Sequence, residues 1–227
     1  PLLCKLLDAR DRLSVQVHPP ASVAPQLGGE PKTEMWYFLA CDPGSRIYAG
    51  LAPGTTRAMF KERLCDGRVE ECLHVLPTAE GDSIFIPSGR LHAIGEGNII
   101  VEIQQNSDTT YRVFDWNRAG LDGKPRALHL DESLLSTDFD DFAPSLHHGE
   151  TGVIAECSHF RVEKRSLSGP QELSAPGDFA LVTVVGGRAS CGGSVHSAGD
   201  FFLLPACGSP AVAPEGDACS VLVTTIP

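Results

Sequence analysis

Two short segments of this chain repeat one pattern, in which a glycine and an aspartate precede an apolar run and a proline. The first is Gly81–Pro87 (Gly-Asp-Ser-Ile-Phe-Ile-Pro) and the second is Gly199–Pro205 (Gly-Asp-Phe-Phe-Leu-Leu-Pro). A Gly-Asp turn, a short apolar run and a terminal proline are typical of a β-strand. A β unit that occurs twice predicts two similar β domains in tandem, although Gly-Asp before a strand is also common turn chemistry.

The rest of the chain favours short strands over long helices, because its 23 glycines and 17 prolines suit many turns. Strands are predicted at 32–40, 45–52, 82–87, 98–105, 109–115, 159–167, 178–187, 200–205 and 219–227. A small helical insertion is expected at 53–76. There, Thr55 or Thr56 suits the N-cap of a helix that ends at Asp66-Gly67, and a second short helix fits 69–76.

The predicted strands form two groups, separated by a more polar and irregular stretch. We expect an N-terminal domain at 1–128 and a C-terminal domain at 149–227. The stretch between them, 129–148, is predicted to be a linker with a short helix at 131–135. A chain of 227 residues is long enough to bury a core in each domain.

The charge and cysteine content exclude several classes of protein. A formal net charge of −11 argues against nucleic-acid partners and anionic membranes. The chain has no apolar run long enough to span a bilayer, and no secretory signal pattern opens it. None of the eight cysteines forms a Cys-x-x-Cys pair, so we expect reduced cysteines in a cytoplasmic protein.

The first repeated segment continues into a histidine. From Gly81 the chain reads Gly-x5-Pro87-x-Gly89-x2-His92, which resembles the second signature of the cupin superfamily of jelly-roll (double-stranded β-helix) barrels. The resemblance implies that His92 points into a barrel and binds a metal. A lone histidine in a strand is more often a core or surface residue, so this interpretation depends on partners.

The second repeated segment lacks this histidine. Cys207 and Pro210 stand where the first segment has Gly89 and His92. The resemblance therefore implies a mainly β fold of two tandem cupin barrels with a small helical insertion, in which only the N-terminal barrel has a metal site.

Partners for His92 follow from strand parity, because side chains two residues apart share a face. Gln16 and His18 share a face in Leu-Ser-Val-Gln-Val-His-Pro-Pro, and Lys32 and Glu34 share one in the strand after it. Gln16, His18, Glu34 and His92 could therefore converge from three strands. This donor set suits zinc, with manganese, iron and cobalt left open, and the alternative is an exposed edge with scattered polar residues.

Four stretches together resemble type I mannose-6-phosphate isomerases in their short bacterial form. They are LSVQVHP, KTEMWYFL, IPSGRLHAIGEG and VEIQQNSDTTYRVFDWNR, and they cover about the first half of the chain in order. The resemblance implies a zinc-dependent aldose–ketose isomerase that interconverts mannose 6-phosphate and fructose 6-phosphate through a cis-enediol. It places the zinc ligands on the same four residues, Gln16, His18, Glu34 and His92.

The resemblance also assigns catalytic roles. Arg112 matches an arginine regarded as catalytic, Lys32 matches a lysine that lines the active site, and Glu102 and Asp108 match pocket acids. Moving a proton between C1 and C2 requires a base beside both carbons, and Glu102, Asp108 or Lys32 could serve. Without the resemblance, a surface position for Arg112 and a turn cap for Asp108 would be equally good interpretations.

Substrate-binding roles fall on Ser14 and Arg118, which match probable phosphate-binding positions. A hydroxyl donor and a cationic fork both suit a phosphate, so the expected partner is a small phosphosugar. Family members have further residues before the point that matches Pro1, which implies a trimmed chain or a compact variant. The rival hypotheses are a non-catalytic cupin that binds a sugar phosphate and a different cupin enzyme, such as an oxygenase.

Overall fold

The computed structural model describes residues 2–119, 123–208 and 210–227, and these are mainly β. The chain divides into two compact units, Pro1–Leu146 and His147–Pro227. No sheet formed by the described residues closes on itself, so the tandem cupin barrels are not confirmed. The predicted boundaries at 128 and 148 likewise remain a prediction. Of the helices that the structure describes, none has the length and apolar character needed to cross a membrane.

The described residues of the first unit form nine strands and two α-helices. The strands are β1 (Leu2–Ala9), β2 (Val15–Val17), β3 (Glu34–Cys41), β4 (Arg46–Leu51), β5 (Leu73–Pro77), β6 (Asp82–Ile86), β7 (His92–Ile94), β8 (Asn98–Gln105) and β9 (Tyr111–Phe114). The helices are α1 (Arg57–Cys65) and α2 (Leu130–Ser136), with short 3-10 helices at Ala24–Leu27 and Val69–Cys72. Within this unit one antiparallel sheet has the order β1-β8-β3-β6, and the other has the order β5-β4-β7-β2-β9.

The inner faces of these two sheets change character along their length. One end is apolar, where Trp36 and Ile100 of the first sheet pack with Ile47 of the second. The polar end begins next to Trp36. Glu102 lies opposite Trp36 on the neighbouring strand, and Glu34 lies two residues before Trp36, so both carboxylates share its face. Polar side chains are therefore held at fixed positions at the edge of a packed core.

The outer face of the second sheet is covered by the helical insertion. Val15 and Val17 of β2 are fully buried there against Phe60 of α1. Alternation along β2 thus sends the two valines to this side and leaves Gln16 on the inner side. The packing fixes which face of β2 is available for chemistry.

The predicted helix after Thr56 is confirmed as α1, and the short helix predicted at 131–135 lies within α2. The second predicted helix, 69–76, is wrong beyond Cys72, because Leu73–Pro77 forms β5. Residues of β5 pair with β4, and Leu73 at its start is buried. Pairing with a neighbouring strand outweighs the weak helical preference of this short segment.

We expect the substitution Thr56→Ala to lower the free energy of unfolding by about 1 kcal/mol, the usual value of an N-cap hydrogen bond. The Thr56 side chain accepts a hydrogen bond from the backbone N–H of Met59 at 3.2 Å. Urea unfolding of the variant measures the change, and Thr56→Ser, which keeps the acceptor, is the matched control. Equal destabilisation by both variants would contradict the assignment.

In the second unit, the regular elements formed by the described residues are all strands. They are β10 (His147–His148), β11 (Gly152–Glu156), β12 (Arg161–Leu167), β13 (Ala180–Gly186), β14 (Arg188–Cys191), β15 (Ser194–Ser197), β16 (Phe201–Leu204), β17 (Ala213–Pro214) and β18 (Cys219–Thr225). Its sheets have the orders β11-β12-β18-β13-β16 and β15-β14-β17. Leu167, Val182 and Val221 lie in its core. The absence of a metal site in this unit remains a prediction.

The repeated Gly-Asp segments adopt the same turn in both units. Gly81 and Gly199 have φ angles of 89° and 95°, a left-handed conformation that favours glycine. The carboxylate of Asp82 accepts from the backbone N–H of Ala79 at 3.0 Å, and that of Asp200 accepts from the N–H of Ser197 at 2.7 Å. The strands β6 and β16 follow these turns, so the repeat is structural at this local level.

Candidate active site

A cluster of His18, Glu34 and His92 lies at the polar end of the first unit. These residues are 1%, 1% and 4% exposed, and their potential ligand atoms lie within 4.8 Å of one another. His18 directly follows β2, Glu34 opens β3, and His92 opens β7. Among the described residues, this is the one group of three or more His, Cys, Asp or Glu side chains with metal-binding spacing.

Backbone carbonyls orient both imidazoles. His18 Nδ1 lies 2.9 Å from the carbonyl oxygen of Thr109, and His92 Nδ1 lies 2.9 Å from that of Arg90. A carbonyl can only accept, so each Nδ1 carries the proton and each Nε2 keeps a free lone pair. These Nε2 atoms face the two carboxylate oxygens of Glu34 at 3.5 and 3.6 Å. This is how metal-binding histidines are held in proteins.

Lys32 places a cation among these donors. Its ammonium group hydrogen-bonds to the Glu34 carboxylate and lies 3.1 Å from His18 Nε2. It also lies 3.6 Å from Glu102 Oε1. The Glu34 carboxylate and the His18 Nε2 lone pair therefore lie next to the Lys32 ammonium, because both attract a positive charge. Two imidazoles and a carboxylate are a set that zinc prefers, with a fourth position left for another ligand.

Gln16 is placed beside this set by strand register. It pairs with His92 of β7 on one side and with Arg112 of β9 on the other. Directly opposed residues share a face, so the Gln16 and His92 side chains project the same way. Gln16 Nε2 donates to Ser14 Oγ at 3.2 Å, and both residues line the same cavity. The Gln16 amide oxygen is thus available as an additional ligand.

Burial and neighbouring charges set the pKa values of the cluster. Burial alone would raise the pKa of Glu34, but His18, His92 and the Lys32 ammonium beside its carboxylate hold this pKa well below the usual range. Burial lowers the pKa of His92 to about 3, against the opposing effect of Glu34. A carboxylate and a neutral imidazole are the forms that bind a metal.

A cavity of about 630 Å³ opens beside the cluster, a volume typical of small-molecule sites. Its lining includes seven of the predicted site residues, namely Ser14, Gln16, Lys32, Glu34, His92, Glu102 and Asp108. Burial, followed by the Glu34 charge, raises the pKa of Glu102 to about 7, and Lys32 and Lys5 oppose this shift. The structure therefore brings most of the predicted residues together around one cavity.

Lys5 also lines this cavity, and the sequence reasoning missed it. Lys5 Nζ donates to Glu102 Oε2 at 3.1 Å and also contacts Gln104 Oε1. The signal was present, because Lys5 lies midway between Leu3 and Leu7 on the same face of β1. A lysine on the inward face of an apolar strand is the parity pattern that had identified Gln16 and His18.

Arg112 and Arg118 are not among the residues that line the cavity. Arg112 Nη1 donates to the Ala127 carbonyl at 2.9 Å, and its buried Nε has no hydrogen-bond partner among the described residues. Arg118 Nη2 donates to Asp115 Oδ1 at 2.8 Å, and Arg126 binds the same carboxylate. The catalytic role of Arg112 and the phosphate-binding role of Arg118 remain predictions.

No protein-family model matches the chain. Two curated relatives are a mannose-6-phosphate isomerase of Streptococcus mutans, 37% identical over 216 residues, and mannose-6-phosphate isomerase ManA of Bacillus subtilis, 38% identical over 218 residues. Each match covers 90% of this chain, together with 68% of the first relative and 69% of the second.

Solved structures agree with the sequence relatives. The crystal structure of the mannose 6-phosphate isomerase from Bacillus subtilis matches with a TM-score of 0.79 and 29% identity, over 100% of this chain and 75% of that one. A zinc-bound mannose 6-phosphate isomerase structure matches with a TM-score of 0.68, over 99% of this chain and 79% of that one. At 15% identity, the second likeness shows the fold alone.

Proposed function

Because the chain belongs to the mannose-6-phosphate isomerase family, we propose that it interconverts mannose 6-phosphate and fructose 6-phosphate at the buried cluster, with zinc as the cofactor. The observation that carries this proposal is the convergence of two imidazole Nε2 atoms on the Glu34 carboxylate beside a cavity. The donor set of two imidazoles and a carboxylate supports the choice of zinc.

Zinc would be held by His18, Glu34 and His92, with the Gln16 amide oxygen as the fourth protein ligand. When bound, it supplies a Lewis acid that stabilises negative charge on an oxygen. The residues provide the donor types that zinc prefers, and His18, Glu34 and His92 are all buried. The Thr109 and Arg90 carbonyls keep the rings from turning away.

Glu102 is the proposed proton-transfer base. It lines the cavity and is nine-tenths or more buried, and a pKa of about 7 suits a base that must both take and return a proton. In the proposed reaction its carboxylate takes the proton from C2 of mannose 6-phosphate and returns it to C1, through a cis-enediol. Asp108 and Lys32 line the same cavity and remain the alternatives.

Lys32 and Lys5 flank Glu102 on two sides, at 3.6 and 3.1 Å from its carboxylate oxygens. Fixed ammonium groups beside the reacting carbons would stabilise the negative charge that develops on O1 as the proton leaves C2, and on O2 after the hydroxyl proton has moved to O1. A second proton passes from O2 to O1 during the reaction. The C1 aldehyde thereby becomes a hydroxyl group, and the C2 hydroxyl becomes a ketone, with no net gain or loss of protons. We propose that Lys32 and Lys5 hydrogen-bond to these oxygens.

The phosphate would be bound at the outer part of the cavity. Ser14 lines it and can donate its hydroxyl proton to a phosphate oxygen. The roles proposed for Arg112 and Arg118 rest on the family resemblance alone, because their hydrogen bonds go to Ala127 and Asp115.

We expect removal of zinc with a chelator to abolish the conversion of mannose 6-phosphate, and added zinc to restore it. The residues that bind the substrate would remain, but the charge that stabilises the developing negative oxygen would be lost. A coupled assay for fructose 6-phosphate, with the metal content measured by mass spectrometry, checks this. Full activity in the metal-free protein would contradict the proposal, as would the absence of turnover in protein loaded with zinc.

A further inference from the structure

One backbone carbonyl and two neighbouring rings, those of His18 and Trp36, orient His92. His92 Nδ1 donates to the Arg90 carbonyl at 2.9 Å, and this contact aims Nε2 at Glu34 Oε1. The ring contacts restrain the plane of the imidazole, and the Arg90 carbonyl, as the acceptor for Nδ1, sets the direction in which Nε2 points. The position of the loop that contains Arg90 therefore controls the position of a proposed zinc ligand.

The side chain of Arg90 fixes this loop at three points. Nε donates to Asp141 Oδ2 at 2.7 Å and Nη2 donates to Asp141 Oδ1 at 2.6 Å, a bidentate pair. Nη1 donates to the Phe85 carbonyl at 2.7 Å. Both charged side chains are only about 15% exposed, so the pair is weakly screened by solvent.

The same loop also contacts the other histidine of the cluster. Gly89 N donates to the His18 carbonyl at 2.8 Å, and Asp138 N donates to the Gly89 carbonyl at 2.9 Å. Asp141 is held in turn, because its carbonyl accepts from Leu51 N at 2.9 Å. The segment 138–141, which follows α2, thus binds the loop by backbone at one end and by an ion pair at the other.

We propose that the Arg90–Asp141 ion pair positions the zinc site: Asp141, which is not itself a ligand, holds the Arg90 carbonyl where it orients His92. This inference rests on the proposed zinc cofactor. Both residues are positioning residues, since neither lines the cavity. Groups that hydrogen-bond to metal ligands typically change metal affinity by about 10- to 100-fold when removed, and Asp141 acts one contact further out.

The test compares zinc affinities of the full chain by competition with a chromophoric chelator. We expect Asp141→Asn to raise the zinc dissociation constant by about tenfold and to change the visible spectrum of the cobalt-substituted protein. Arg90→Gln, which keeps the backbone carbonyl and loses the ion pair, should have the same effect. The double variant should bind zinc no more weakly than either single variant does, because the two residues act as one unit.

A carboxylate in the second unit provides the matched control. Glu163 bridges Arg161 and Arg165 at 2.9 and 3.0 Å, and Glu163→Gln should leave zinc affinity unchanged. If Asp141→Asn fails to fold, Arg90→Lys is measured in its place. This variant keeps the charge but not the bidentate geometry, and we expect its zinc affinity to fall severalfold. Folded Asp141→Asn or Arg90→Lys protein with wild-type zinc affinity would overturn this inference alone. Wild-type protein that binds no zinc would overturn the proposed function together with it.

Discussion

Glu34→Gln is expected to weaken zinc binding by on the order of 100-fold or more and to abolish isomerase activity with it. Glu34 is the only anion among the three clustered donors, and both imidazole Nε2 atoms face its oxygens. Glutamine keeps the shape but removes the charge, and leaves the buried Lys32 ammonium with Glu102 as its remaining carboxylate partner. The free energy of zinc binding at structural sites is about 10–16 kcal/mol, shared among the ligands. Loss of the one charged ligand should therefore remove a large part of the binding free energy.

The control for this substitution is Glu62→Gln. Glu62 lies on α1, is exposed, and forms an ion pair with its neighbour Arg63. Isothermal titration with zinc and thermal unfolding of both variants separate loss of the metal from loss of the fold. Zinc binding by Glu34→Gln at wild-type strength would show that the cluster is not the metal site.

Glu102→Gln is expected to lower kcat by about 10²- to 10⁴-fold, the usual contribution of a general base, while zinc remains bound. The amide cannot take the proton from C2, and it is nearly isosteric with the carboxylate. Exchange of the C2 hydrogen with deuterated solvent should stop to the same extent. Activity of the wild-type protein should fall as the pH drops below about 7, because the carboxylate must be deprotonated to act as a base.

Asp108→Asn is the matched comparison, because Asp108 lines the same cavity and is the other carboxylate predicted from the sequence. Loss of kcat in Asp108→Asn, with little change in Glu102→Gln, would make Asp108 the base. Equal loss of zinc from Glu102→Gln would instead assign Glu102 a role in metal binding. The metal content of each variant is therefore measured beside its kcat and KM.

Part of the candidate site followed from the sequence by strand parity. Gln16 and His18 alternate with Val15 and Val17, and the structure buries both valines under α1 while Gln16 lines the cavity on the other side. Lys5 obeys the same rule in β1 and was missed, since no motif drew attention to it. Parity identifies which side chains share a face, and a motif is needed to decide which of those faces matters.

The segment that follows Cys72 shows the limit of local patterns. Residues 69–76 suit a helix by composition, but β4 offers unpaired backbone groups to residues 73–77 and the chain pairs with it. Whether such a segment forms a helix or a strand depends on which strand lies beside it. The neighbouring strand is determined by contacts between residues distant in sequence.

The sequence by itself determined the local features of this protein, because they depend on neighbours in the chain. These are the two Gly-Asp turns, the N-cap of α1, and the alternation that sends Gln16 and His18 to one side. Only the tertiary structure decided that His18, Glu34 and His92 meet, that Lys32 lies among them, and that Asp141 holds Arg90. Those groups come from distant parts of the chain, and packing of two sheets on a common core fixes their distances.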